Sequence, residues 1–167
     1  KYDDKKKIIF FSTPFDRESV QFLNKLKVKL FKIASFDISN FELIKEIIKT
    51  KKPTIISTGM ASIIEIQNLI KIFKKKNIKH YLLHCVSSYP TKEEDSFLKN
   101  ITFLRKKFSI PIGLSDHTND IKTSIISYCM GARIFEKHFM IKNDKNCVDY
   151  PVSLDYVKFM KMKSEME

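Results

Sequence analysis

The sequence predicts a parallel α/β protein, a partial (β/α)8 TIM barrel carrying about six of the eight βα units that such a barrel needs. Three observations carry this expectation. β-type runs alternate with helical stripes, and the runs start 23, 23, 26, 30 and 23 residues apart. Every run ends in a polar cluster on its C-terminal side. The chain has 167 residues, 43% of them hydrophobic, enough for one substantial core but short of the roughly 250 residues of eight units. An open doubly wound sheet is the other architecture, and there ligand chemistry concentrates at one topological switch point. Here all six units carry polar strand ends, as expected when every strand opens on one shared mouth. The two absent units are expected ahead of Lys1, and residues 1–167 read as one partial barrel without an internal boundary.

The elements follow in order. Residues 8–12 form the first β-type run and lead into Ser12-Thr13-Pro14-Phe15-Asp16, after which Val20, Leu23 and Leu26 make one helical side. The second run, 31–35, holds Lys32 among apolar neighbours, and Phe41, Ile44, Ile47 and Ile48 stripe the helix behind it. Pro53 ends that helix and opens run 54–57, which passes into Ser57-Thr58-Gly59-Met60. Ser62 followed by Glu65 is a capping-box pattern, continued by Ile66, Leu69, Ile70 and Phe73. Run 80–85 leads to Ser87-Ser88-Tyr89-Pro90, and Phe97, Leu98, Ile101 and Leu104 supply the next stripe. Run 110–113 precedes Ser115-Asp116-His117-Thr118, and a fifth stripe takes Ile121, Ile125, Tyr128 and Cys129, with Cys129 expected in packing. Run 133–139 ends in Glu136-Lys137-His138. Glycine is scarce, only three residues, so each is expected to meet a backbone need: Gly59 and Gly113 near polar strand ends, Gly131 at a helix C-terminus.

Composition narrows the classes. The net charge is +12, yet only Arg17, Arg105 and Arg133 are arginine and the lysines are scattered along helical segments. That pattern fits solvated helix faces, or a field attracting small anions, better than a nucleic-acid interface with its Arg forks. No apolar run approaches the roughly 20 residues of a membrane span, and the opening residues 1–7 lack a leader's apolar core. Cys85, Cys129 and Cys147 are odd in number and lack metal spacing, which fits a reducing cytoplasm.

Two histidines form the strongest local constellation. His117 and His138 close the polar ends of consecutive strand runs, and parallel neighbours lie about 5 Å apart, near enough for two imidazoles to share a divalent ion. Two neutral His with water and a substrate oxygen suit an octahedral Mn2+-like Lewis acid, with Mg2+ or Co2+ as substitutes; otherwise each is an ordinary hydrogen-bonded histidine. His80 and His84 read as ordinary. The hydroxyl-rich strand ends could present anion-binding groups, or could simply be turns and caps. Lys32 is different: a cation inside an apolar strand is costly to bury unless it meets an anion.

Six motifs then stand in order: Ser-Thr-Pro-Phe-Asp (12–16), Lys-Ile-Ala-Ser (32–35), Ile-Ser-Thr-Gly-Met-Ala (56–61), His-Cys-Val-Ser-Ser-Tyr-Pro-Thr (84–91), Gly-Leu-Ser-Asp-His-Thr (113–118) and Glu-Lys-His-Phe (136–139). Together they resemble the N-acetylneuraminate (sialic acid) synthase family, which includes pseudaminate and legionaminate synthases. The resemblance implies a (β/α)8 barrel followed by a small antifreeze-like domain. It also implies condensation of phosphoenolpyruvate with an N-acylated mannosamine-type sugar, releasing phosphate, with Mn2+ or a similar ion. By resemblance, His117 and His138 are the metal ligands and Thr13, Lys32, Ser35, Ser57, Ser87 and Ser115 hold phosphoenolpyruvate. Tyr89 and Asp149 lie near the acceptor sugar, and Lys32, His117 and His138 are the catalytic set. Lys-Ile-Ala-Ser-Phe-Asp leans toward the diacetamido-sugar relatives. The family's first two strands and its antifreeze-like domain have no counterpart in 1–167, so the full-length protein is expected to carry them and to be a cytoplasmic homodimer. Another phosphoenolpyruvate–aldose condensing enzyme of the same barrel superfamily, or a non-catalytic basic binding fragment, are the other readings.

Overall fold

A computed structural model of the chain describes residues 8–141 and 144–167; residues 1–7, whose sequence lacks a leader's apolar core, and 142–143 lie outside the described residues. The chain divides into two compact units, Lys1–Tyr81 and Leu82–Glu167.

In the first unit, helix α1 (Arg17–Lys25) starts where the Asp16 carboxylate accepts the Ser19 N–H at 2.6 Å. Strand β1 (Phe31–Ile33) follows, then α2 (Phe41–Lys49), β2 (Thr54–Ser57) and α3 (Ile63–Lys75). β1 and β2 pair in parallel with Lys32 opposite Ile55, and the Thr54 N–H donates to the carbonyl of Lys79 just ahead of β3 (His80–Cys85). The capping box at Ser62 and Glu65 is complete: each side chain takes the other's backbone N–H, at 3.3 and 2.8 Å. The core is mainly apolar, with the polar side chains Asp37, Thr54 and Ser57 buried beside it. Val20 and Leu23 of α1, Leu43, Ile44 and Ile47 of α2, and Ile66, Leu69, Ile70 and Phe73 of α3 are buried, as are Phe31, Ile33 and Ile56 on the strands.

In the second unit β3 continues from Leu82, followed by α4 (Lys99–Phe108), β4 (Ile112–Asp116), α5 (Lys122–Cys129), β5 (Phe135–Phe139), β6 (Ser153–Leu154) and α6 (Tyr156–Met166). β3 pairs β4, β4 pairs β5 and β5 pairs β6, all in parallel. The registers align Cys85 with Ser115, Ser115 with Glu136, and His138 with Ser153. Gly113 answers a packing need, since a Cβ there would stand 2.1 Å from the Ile134 carbonyl oxygen and 2.6 Å from Leu83 Cδ2. Gly131 answers a backbone one, at φ +98° after α5. Ile121, Leu154 and Met162 make a small apolar cluster under α6.

Several expectations need correction. Residues 8–12 are not a strand: a strand exists by pairing, and Ile8, Ile9 and Phe10 remain 64%, 58% and 53% exposed. The sixth strand is instead Ser153–Leu154, too short to show any periodicity. β4 begins at Ile112, because Pro111 has no N–H for the ladder and contributes only its carbonyl, to Leu82 N–H. Leu26, Phe41 and Phe97, assigned to apolar faces, are exposed. Cys129 is exposed as well. Of its helix's expected apolar stripe, Ile121 is buried and Ile125 packs against the same cluster, but the helix also buries Thr123, Ser124 and Ser127, because the carboxylate of Asp116 takes hydroxyl donors from that face. Among the described residues no helix is long and apolar enough to cross a membrane. Part of the positive charge has a local use: Lys74 and Lys75, and Arg105, Lys106 and Lys107, occupy last turns of α3 and α4, where cations complement the helix dipole.

Candidate active site

Strand alternation builds the site of the second unit. Successive side chains point to opposite faces and parallel register partners share a face. Cys85, Ser115, Glu136 and His138 therefore share one face of the sheet. His117, two residues beyond Ser115 and just past the end of β4, joins them. The rings of His117 and His138 stand 5.7 Å apart at 64°. Tyr89, on the loop after β3, lies over His117 with ring centres 4.0 Å apart and meets His138 edge-on at 5.9 Å. His138 Nδ1 is 3.5 Å from Asp149 Oδ2. Ser87 is exposed on the loop after β3.

The hydrogen bonds decide the chemistry. His117 Nδ1 lies 2.8 Å from the Val86 carbonyl oxygen, which can only accept, so Nδ1 carries the proton and Nε2 keeps its lone pair. Burial pushes the His117 imidazole below its usual range, while the Val86 carbonyl pulls the other way; the ring is held neutral. The Ser115 hydroxyl donates to Glu136 Oε1 at 2.7 Å. Ser115 Oγ therefore turns lone pairs toward His117 Nε2, 3.5 Å away. Two acceptors facing each other call for an electropositive guest, a cation or a water proton. The donor set of imidazole nitrogen and oxygen fits a divalent ion of the Mn2+ type, with no thiolate needed. Among the described residues no group of three His, Cys, Asp or Glu is arranged to hold a metal, so what this chain offers is an open pair. Burial raises the Tyr89 phenol above its ordinary range, helped by the charges of Cys85, Glu136 and Asp149, and it remains a neutral donor.

The first unit carries a separate group. Lys32, Ile55 and Ser57 share a face of the β1–β2 pair by the same alternation. The Ser35 hydroxyl oxygen accepts the Gly59 N–H at 3.0 Å, tying the loop after β1 to the loop after β2. Ser57 is 2% exposed and its Oγ has no hydrogen-bond partner. Thr13 is half-buried beside the start of α1. His84 bonds the Ser96 carbonyl at 2.7 Å; His80 bonds the Ile78 carbonyl through Nδ1 at 2.8 Å, while its Nε2 is buried without a partner.

Sequence reasoning missed Glu136 as a site residue, and Asp116 and Lys137 behind it. The signal was available for Asp116 and Lys137: each motif places a charged residue immediately before its histidine, and two buried opposite charges on adjacent strands have to pair.

The chain matches the NeuB family over residues 1–167 and belongs to it. It is 42% identical over 162 residues to an uncharacterised protein of Methanocaldococcus jannaschii, covering 96% of this chain and 48% of that one. It is 41% identical over 156 residues to the pseudaminic acid synthase of Campylobacter jejuni, covering 93% and 46% respectively. The crystal structure of an N-acetylneuraminic acid (sialic acid) synthetase from Leptospira borgpetersenii, in complex with citrate, superposes with a TM-score of 0.94 at 39% identity, over 98% of this chain and 57% of that one. The fold class is α/β, a partial TIM barrel. The chain spans about half the length of the curated relatives it matches.

Proposed function

We propose that the full-length protein condenses phosphoenolpyruvate with an N-acylated mannosamine-type sugar, releasing phosphate and forming a nonulosonic acid of the sialic type. The observation that carries this reading is the imidazole pair: His117 fixed as the Nδ1–H tautomer with its Nε2 facing the oxygen of Ser115, and His138 beside it. In this reading His117 and His138 hold a divalent ion, Mn2+ or in its place Mg2+ or Co2+. That ion, when bound, supplies Lewis-acid polarisation of the sugar's carbonyl oxygen.

The remaining work falls to the chain's own side chains. Lys32 supplies a fixed positive charge, and Ser57 an uncommitted buried hydroxyl, for the carboxylate and phosphate of phosphoenolpyruvate. Ser35, Thr13 and Ser87 add polar contacts. Ser115 and Glu136 hold the His117 face polar and oriented. Tyr89 covers the imidazoles and, with Asp149, meets the acceptor sugar. The enol carbon attacks the aldehyde carbon, water adds to the resulting cation, and C–O cleavage releases phosphate. The protein contributes orientation and charge stabilisation rather than a covalent intermediate. The full-length protein is proposed to work as a cytoplasmic homodimer, with residues 1–167 as one partial synthase barrel.

A coupled phosphate-release assay of the full-length protein against a panel of acylated hexosamines tests the reading. Phosphate release that needs both a sugar and a divalent ion, and stops with chelator and in His138→Ala, is expected. Turnover unaffected by chelation and by both His→Ala changes would overturn the metal role, and no release with any acylated sugar would overturn the reaction.

A further inference from the structure

We infer that the buried Asp116–Lys137 pair is a positioning pair for His117 and His138, fixing the separation and ring orientation of the two imidazoles from behind the sheet. The inference rests on the proposed reading of those imidazoles as the site's donors.

Asp116 and Lys137 are register partners on β4 and β5, each immediately ahead of one histidine in the chain. Alternation turns them to the face opposite Ser115 and Glu136. There their charged ends lie 3.3 Å apart, with side chains 2% and 1% exposed. Asp116 Oδ1 accepts the Thr118 N–H at 2.9 Å and the Thr118 hydroxyl at 2.8 Å. Its Oδ2 accepts the hydroxyls of Thr123 at 2.7 Å and Ser124 at 2.6 Å. Lys137 Nζ donates to the Thr118 carbonyl at 2.6 Å. The contacts close a ring around the turn 116–118. Asp116 clamps the start of the turn to its end, and Lys137 ties that end to β5. His117 is the middle residue of the turn, and His138 is the next residue on β5. The backbones that carry the two rings cannot shift against each other without breaking a charge-assisted bond.

Stability alone does not account for this arrangement. Desolvation offsets most of the attraction in so deeply buried an ion pair, and apolar residues of similar volume often serve as well or better. What an apolar pair lacks is direction. The helix behind also spends buried positions on Thr123 and Ser124, aimed at the carboxylate. Partners one step removed from metal-holding side chains commonly set ligand orientation in this way, and their loss weakens metal affinity about 10- to 100-fold.

The test uses the full-length protein and the double variant D116N/K137M, which removes both charges and leaves no lone buried ion. In the metal-free parent, 15N NMR should show His117 as a single Nδ1–H tautomer. In the folded variant it should average between tautomers, and Mn2+ affinity followed by EPR should fall at least tenfold. An unaltered His117 spectrum together with unaltered Mn2+ affinity would overturn the inference. Should the parent itself bind no Mn2+, the proposed metal site falls, and the His117 tautomer decides the positioning claim alone: averaging supports it, an unchanged spectrum sinks it. If the double variant does not fold, T123V/S124A keeps the ion pair but removes two bonds to Asp116; it should shift the same readouts less far in the same direction, and no shift would overturn the claim.

Discussion

Ser57 buries a hydroxyl with no partner, and a polar group left unsatisfied costs about 1–3 kcal/mol. Ser57→Ala removes that cost, so urea unfolding of the ligand-free protein should show stability unchanged or raised. Calorimetric titration of phosphoenolpyruvate should show weaker binding. A variant that loses stability and keeps its affinity would make Ser57 a structural residue. Lys32 gives the complementary case. As an anion ligand it contributes a charge-assisted contact of roughly 1.5–3 kcal/mol, so Lys32→Met should weaken phosphoenolpyruvate on the order of 10- to 150-fold. Sugar binding and folding should change little. A lysine that only lays its stem along apolar surface would show none of this, and unchanged affinity would remove Lys32 from the site. The importance of Lys32 was legible in the sequence, because a cation between Phe31 and Ile33 demands an explanation. The orphaned hydroxyl of Ser57 was not, because satisfaction depends on where every neighbouring donor ends up.

Gly113 shows how tightly neighbouring elements are fitted. Its missing Cβ makes room for the Ile134 carbonyl oxygen and for Leu83 Cδ2. Gly113→Ala should therefore destabilise the protein by at least the roughly 1–3 kcal/mol typical of overpacking, read as a lower thermal midpoint, because the nearest obstacle is backbone and cannot rotate away. Where several independent signals agreed, elements were legible. The capping box at Ser62 and Glu65, the stripe from Ile66 to Phe73 and the turn at Gly131 all fall where local chemistry puts them. α5 was misread because hydrophobic periodicity ranks Thr123, Ser124 and Ser127 as solvent-facing, whereas a buried carboxylate reverses the preference. β6 was missed because two residues carry no period.

Across the whole chain, acid sensitivity follows from buried histidine. Burial lowers the His84 imidazole from its ordinary value of 6.5, with the Ser96 carbonyl pulling the other way. The unfolded chain therefore takes up a proton more readily than the folded one. The stability contributed by the neutral folded form is present above about pH 6.5 and is lost as pH falls through the lower folded value. Urea midpoints should fall between pH 7.5 and 5.5, and His84→Gln should flatten that dependence; a midpoint that is level with pH in the parent would refute it. At this scale the rhythm of alternating runs and stripes was enough to read the class of fold. The ordered motifs were enough to read the family. Strand register was not legible, and register is what brings Ser115 to Glu136 and Asp116 to Lys137.

The placement of Tyr89 has an optical consequence. The chain contains no tryptophan and six tyrosines, so its near-ultraviolet emission is phenolic, with no indole to absorb the transferred energy. One of those phenols lies 4.0 Å over the His117 ring, centre to centre, close enough for a change in that imidazole's charge or occupancy to quench it. The chain thus carries a fluorophore at the imidazole pair, and, on the proposed reading of that pair as an ion site, ion binding there is expected to register as a change in tyrosine fluorescence without any attached dye.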